Sequence, residues 1–313
     1  MSLRYAKSNN SLLRFVIKFS LAEMKNPDRE YCFGKPSQKL FLQEWGSASK
    51  PTILLVHGFP GCAEHGKLLT STVHLSDFRL ISFDRPGYGR SDYQKNLTPL
   101  KLASQIKQLL DYLKIDKIKV LSVSGGAPYA MAIAFLLKER VEKISSVAGV
   151  APLTIRNFKF MNASQKKAWM LRNFVPSPIL NYGLNRMWKS GLNKIDDFLF
   201  SGLENFSLAD QIVFKHPDVG PALISSIKTS LQAGPAGVLH DMKVYSKSWG
   251  FSLKGIKCPV TLWHGSADDV VHVRFTQDMN RRIPQSKVNM VPAEGHYSLP
   301  MNFRDAIISD LLV

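Results

Sequence analysis

Between about residues 38 and 150 the chain alternates short apolar runs with stretches of helical spacing, and this alternation constrains the fold more than any other feature. Thr52 to Val56 (TILLV) carries no polar–apolar alternation at all. A strand of that kind must be covered on both faces, which is the condition of a central strand in a helix-flanked parallel sheet. Arg79 to Phe83 (RLISF) reads the same way, Lys117 to Val123 (KIKVLSV) is a further strand, and Val141 to Val150 another. Between them, Leu100 to Leu113 has helical spacing and Gly126 to Leu137 is an Ala-rich apolar helix. Lys39 to Trp45 (KLFLQEW) alternates, which predicts a half-exposed early strand. Strand–helix–strand units in series predict an α/β fold with a mostly parallel central sheet and helices on both faces.

The pattern changes from about Thr154 to Lys247, where it becomes helical and rich in aromatics, among them Phe158, Trp169, Phe174, Tyr182 and Trp188. Strand character returns at Pro259 to Trp263 (PVTLW), followed by a helix over Val273 to Ile283, a strand at Val288 to Val291 and a last helix near Phe303 to Leu312. The expected division is therefore an N-terminal extension with a first strand (1–37), a core α/β segment (38–152), an inserted helical cap (153–250) and the rest of the core (251–313). A chain of 313 residues can bury such a core without disulfide or metal staples.

Composition narrows the function classes. Hydrophobic residues at 45% and charged residues at 21% exclude a disordered chain, a fibre and a coiled coil. No apolar run reaches the ~18 residues of a membrane-spanning helix. The 41 Lys and Arg outnumber the 24 Asp and Glu, for a net charge of +17. The basic residues are scattered, without zinc-finger spacing or an RNP-like motif, so no nucleic-acid partner is expected. Cys32, Cys62 and Cys258 lack CxxC spacing and read as reduced thiols, with Cys62 a packing residue, which fits a cytoplasmic location. Ser11 to Lys25 (SLLRFVIKFSLAEMK) is broken by Arg14 and Lys18 and makes a poor signal peptide. On a helix it places Arg14, Lys18 and Lys25 on one stripe and Leu12, Phe15, Val16 and Phe19 away from it. Residues 11–25 thus read as a surface helix docked on the domain, with weak contact to an anionic membrane as the alternative.

Three loops carry chemistry. Ser124 stands at a strand–turn–helix junction, Ser122-Val123-Ser124-Gly125-Gly126, where a serine is exposed near the positive end of the next helix. Its small neighbours suit a strained, closely approached backbone. His57-Gly58-Phe59-Pro60-Gly61 follows the buried strand. Acyl transfer develops a negative oxygen that needs fixed donors, and the backbone N–H groups of Phe59 and Gly125 form the natural pair, since Pro60 has none. His57 reads as a structural hydrogen-bonding group. After the helical insertion, one strand runs into His264-Gly265-Ser266-Ala267-Asp268-Asp269 and the next into Ala293-Glu294-Gly295-His296-Tyr297. Both loops lie where open parallel sheets build their sites, at the carboxyl ends of strands.

These residues together resemble a serine member of the α/β-hydrolase superfamily with a helical cap. The resemblance rests on HGFPG (57–61), DRPGYGRSD (84–92), SVSGGAPYA (122–130), WGF (249–251), PVTLWHGSADDVV (259–271) and AEGHYSLP (293–300), and spans about residues 38–312. It implies the α/β-hydrolase fold and a catalytic triad of Ser124, Asp268 and His296, in that chain order. The family pattern G-x-x-D-x-x-V, framed by Gly265 and Val271, selects Asp268 over Asp269 as the acid. Asp84 takes a structural role in a turn shaped by Gly87 and Gly89. The sequence departs from the family at Ser122, where the elbow usually has glycine, and at His272, where many relatives have proline.

Haloalkane dehalogenases and epoxide hydrolases of this fold attack with aspartate, and the elbow here carries serine. The resemblance thus implies a carboxylesterase-like enzyme that cleaves a small or medium apolar ester through an acyl-serine. Lactone or carbon–carbon bond hydrolysis is the alternative, and a non-catalytic ligand-binding protein on the same fold is a third reading. No metal or cofactor is expected for serine chemistry.

Overall fold

A computed structural model of the chain describes residues 24–72, 74–152, 155–191 and 202–313. The N-terminal helix expected over residues 11–25 falls almost wholly outside these.

Eight strands form one sheet in the order β1-β2-β4-β3-β5-β6-β7-β8. They are β1 (Arg29–Phe33), β2 (Leu40–Trp45), β3 (Thr52–Val56), β4 (Arg79–Phe83), β5 (Ile118–Val123), β6 (Val141–Val147), β7 (Val260–Gly265) and β8 (Ser286–Val291). The first two pairings, β1 with β2 and β2 with β4, are antiparallel, and the other five are parallel. The sheet is therefore mostly parallel, as its apolar central strands require.

The helices of the first core segment are α1 (His65–Leu69), α2 (Pro99–Tyr112) and α3 (Ala127–Leu136). Helix α2 starts at Thr98, whose hydroxyl accepts from the Lys101 amide, with Pro99 in the first turn. Between β6 and β7 lie α4 (Ala163–Phe174), α5 (Ser177–Gly191), α6 (Leu208–Lys215), α7 (Val219–Leu231) and α8 (Ala236–Tyr245), with no strand among the described residues. The chain then returns to the sheet and adds α9 (Val273–Arg282), α10 (Ser298–Asn302) and α11 (Arg304–Leu312).

Strand β3 shows why an unbroken apolar run was needed. Its Leu54 and Val56 pack with Ile81, Ile106, Val120 and Ile133 on one face, and its Ile53 and Leu55 pack with Leu121, Ile307 and Leu311 on the other. At about 25 cal/mol per Å² of apolar surface removed from water, two covered faces give the central strands roughly twice the burial of a one-sided strand.

Strand β2 corrects the expectation of a half-exposed strand: all six residues are buried. It is not an edge, because β1 pairs outside it. The Glu44 carboxylate and the Gln43 NH₂ group are also paired. Glu44 accepts from Arg29, Arg79 and Tyr31, and Gln43 donates to Glu30. A buried carboxylate is tolerated where cations and hydroxyls satisfy it.

Candidate active site

The turn from β5 into α3 carries Ser124 at φ 50°, a left-handed conformation that a non-glycine residue adopts only under constraint. The turn packs against the end of β3 so closely that a Cβ on Gly126 would stand 2.4 Å from the Val56 carbonyl oxygen. Glycine is required there, and the constraint holds the serine at the tip. The other elbow position does not need glycine. Ser122 is still in the strand, and its hydroxyl lies 3.2 Å from that of Ser146 on the adjacent β6.

Ser124 Oγ lies 2.9 Å from His296 Nε2. The other ring nitrogen, Nδ1, lies 2.9 Å from Asp268 Oδ2. The second oxygen of Asp268 accepts the amides of Val270 and Val271 at 2.9 and 2.8 Å, so its loop fixes the carboxylate. The Asp268 side chain is fully buried, whereas Asp269 is exposed. Burial alone would depress the basicity of His296, but the charge of Asp268 and its hydrogen bond outweigh it and raise the imidazole above its ordinary value. Burial would likewise raise Asp268, yet the facing His296 holds it below the usual carboxylate range. A carboxylate that accepts from Nδ1–H leaves Nε2 free to accept the serine proton.

Phe59 and Gly125 line one cavity with Ser124, and a Cβ on Gly125 would meet the Phe59 Cβ at 2.7 Å. The two expected donors thus belong to adjoining backbone segments beside the serine. His57 is hydrogen-bonded through both nitrogens: Nδ1 donates to the Gly58 carbonyl, and Nε2 accepts the Arg85 amide, each at 2.9 Å. Burial, with Arg85 nearby, pushes its pKa well down, so it is a neutral structural group. Asp84 accepts the amides of Ala63 and Arg90 at 2.6 and 2.7 Å and fixes the neighbouring turn. His272, in place of proline, caps α9 by accepting the Arg274 amide. Cys62 is buried with its thiol against the Ser226 carbonyl.

Asp210, Asp241 and Tyr245 carried no sequence signal. Asp210 on α6 is fully buried and reaches the loop of His296. Its carboxylate accepts the backbone amides of His296, Tyr297 and Ser298 at 2.9, 2.9 and 2.8 Å. It can enter because residue 295 is glycine: a Cβ there would sit 2.5 Å from the Asp210 carboxyl carbon. Asp241 on α8 is also buried and accepts from Arg85, Tyr88, Tyr129 and Tyr245. Arg85 continues to the Gly58 carbonyl at 2.8 Å. The Tyr245 hydroxyl lies 3.0 Å from both Asp241 and the Gly125 carbonyl. The helices inserted between β6 and β7 therefore hold both the histidine loop and the backbone around the serine.

Ser124 lies where two cavities meet. One is lined by Leu68, Leu223, Ile227, His296 and Met301. The other, of about 270 Å³, is lined by Gln165, Trp169, Met242 and Tyr245.

The sequence profile of the alpha/beta hydrolase fold family matches residues 51–302, most of the chain. The chain belongs to the α/β-hydrolase family. As an α/β hydrolase it is 24% identical over 258 residues to a Bacillus subtilis protein provisionally named 2-succinyl-6-hydroxy-2,4-cyclohexadiene-1-carboxylate synthase, covering 80% of this chain and 85% of that one. It is 21% identical over 295 residues to bifunctional epoxide hydrolase 2 of Sus scrofa, covering 86% of this chain but only 52% of that longer protein. Among solved structures, an esterase from Exiguobacterium antarcticum superposes with a TM-score of 0.66 at 19% identity, over 88% of this chain and 96% of that one. That likeness is one of fold. The family match makes the protein a hydrolase of the α/β fold.

Proposed function

We propose that this hydrolase cleaves an apolar carboxylic ester, of small or medium size, through an acyl-serine on Ser124. The observation that carries the reading is the hydrogen-bonded series Ser124–His296–Asp268, with 2.9 Å at each link, at the carboxyl ends of β5, β7 and β8. His296 takes the serine proton as Oγ attacks the ester carbonyl. The amides of Phe59 and Gly125 receive the negative oxygen of the tetrahedral intermediate. His296 returns the proton to the leaving alcohol, and the same groups then activate water to release the acid. Asp268 holds the tautomer and stabilises the imidazolium.

The leaving oxygen must reach His296 Nε2. The alcohol portion therefore fits the cavity lined by His296, Leu223 and Met301, and the acyl portion the cavity lined by Trp169 and Met242. Both linings favour apolar groups. In this reading the helices between β6 and β7 are the cap that shapes both cavities. The name of the pig relative points to epoxide opening, but epoxide hydrolases of this fold attack with aspartate, and serine stands at the elbow here.

A panel of nitrophenyl esters with rising acyl length, together with lactones and a β-diketone, tests the proposal against its alternatives. Ester turnover that disappears in Ser124→Ala is the expected result. Selective turnover of the lactones or the diketone would move the assignment to those bonds, and full activity in Ser124→Ala would remove the serine mechanism.

A further inference from the structure

We infer that the outer face of α4 and α5 docks on an anionic lipid surface. The chain has no Asp or Glu between Glu142 and Asp196, yet α4 carries Lys166, Lys167 and Arg172. The same two helices expose large apolar side chains: Met170, Phe174, Ile179, Tyr182 and Met187 are between 45% and 74% exposed. On α4, Lys166, Lys167, Met170 and Phe174 follow i, i+3 and i+4 spacing and share one face, with Met170 and Phe174 exposed on it. On α5, Ile179, Tyr182 and Met187 fall within one arc of the helix. Cations interleaved with exposed apolar groups, and no acid among them, match a bilayer interface with anionic headgroups.

Other occupants fit less well. Protein interfaces are depleted in lysine. A second copy would bring like charge against like on a chain of net charge +17. A nucleic acid would leave the Met, Ile and Phe side chains without a partner.

The position of α4 links this surface to the site. Gln165, Ala168 and Trp169 of the same helix line the cavity beside Ser124, and the Trp169 ring meets the edge of the Phe174 ring with centroids 6.0 Å apart. Docking would thus place one helix thickness, about 10 Å, between the lipid and the proposed acyl cavity. The docking claim stands without the esterase reading. The corollary, that the ester is one that partitions into membranes, rests on it.

The test is co-sedimentation of the full chain with phosphatidylserine-rich vesicles and with pure phosphatidylcholine vesicles, at low and high salt. Binding should favour the anionic vesicles and weaken with salt. Lys167→Glu should reduce it about tenfold or more, since each basic charge near such a surface contributes a several-fold factor. The double variant Met170→Ser/Phe174→Ser should reduce it by about tenfold as well, through lost apolar insertion. Thermal unfolding of both variants, and turnover of a soluble ester by Lys167→Glu, unchanged from wild type, establish that they are folded. Absence of vesicle binding by the wild-type chain would overturn the inference. So would binding that survives both variants but disappears on reversing Arg14 and Lys18, which would assign it to the N-terminal segment. A concentration-dependent dimer lost in the double variant, with no vesicle binding, would assign the face to a second copy.

Discussion

Asp210→Asn tests how the helical segment supports the histidine. The carboxylate accepts three backbone amides on two oxygens: His296 on Oδ2, and Tyr297 and Ser298 on Oδ1. An asparagine can keep the Oδ1 pair with its carbonyl oxygen. Its NH₂ would then face the His296 N–H, donor against donor. One hydrogen bond to a charged acceptor is lost, worth about 1.5–3 kcal/mol, and a buried amide is left unsatisfied, so the expected loss of stability is about 2–4 kcal/mol. The alternative flip orphans two amides and costs more. The His296 backbone would shift to relieve the conflict, and displacement of a catalytic group by about 1 Å costs on the order of 10²-fold in rate. Denaturant unfolding and kcat/KM on one activated ester measure both effects. A variant within about 0.5 kcal/mol and twofold of wild type, the scatter of ordinary surface substitutions, would refute the reasoning. A loss of stability with kcat unchanged would show that the contact is structural only.

Three further predictions follow from the same geometry. Asp268→Asn should lower kcat by about 10⁴-fold through the wrong histidine tautomer, whereas Asp269→Asn, on an exposed carboxylate, should stay within about tenfold; kinetics of both variants on one ester give the ranking, and the reverse order would contradict it. The acid limb of kcat/KM should lie above the ordinary histidine value of 6.5, because His296 must be neutral to accept a proton and its pKa is raised; in Asp268→Asn the limb should move down, since the charge and hydrogen bond that raise it are gone. Asp241→Ala should destabilise the fold by about 3–5 kcal/mol, as it strands the buried Arg85 guanidinium, and a calorimetric or urea measurement showing less than about 1 kcal/mol would contradict the role given to that pair.

The α/β fold and the loops at its strand ends were legible because each has a local signature. TILLV can only be covered on both faces, and Ser124, Asp268 and His296 each follow a strand within a few residues. Gly126 was legible from its place two residues after Ser124 in the turn, although the contact that requires it, the Val56 carbonyl at 2.4 Å, lies at the end of β3. What failed depended on distant partners. The alternation of β2 suggested a wet face, but Arg29, Arg79 and Tyr31 neutralise Glu44 from other elements. Asp210 and Asp241 sit in ordinary amphipathic helices, and their partners lie 86 and 156 residues away along the chain. No local period encodes such a contact. The departure at Ser122 is likewise accounted for by a partner on another strand, the Ser146 hydroxyl of β6.

The central claim, that Ser124 is the nucleophile, is tested most directly by trapping. The folded 313-residue chain is incubated with a fluorophosphonate, and the adduct is located by peptide mass spectrometry. The account predicts one adduct per chain, on Ser124, formed in step with loss of ester turnover and slowed severely in Asp268→Asn. Turnover that survives complete labelling of Ser124, or inactivation with the adduct on another residue, would contradict it.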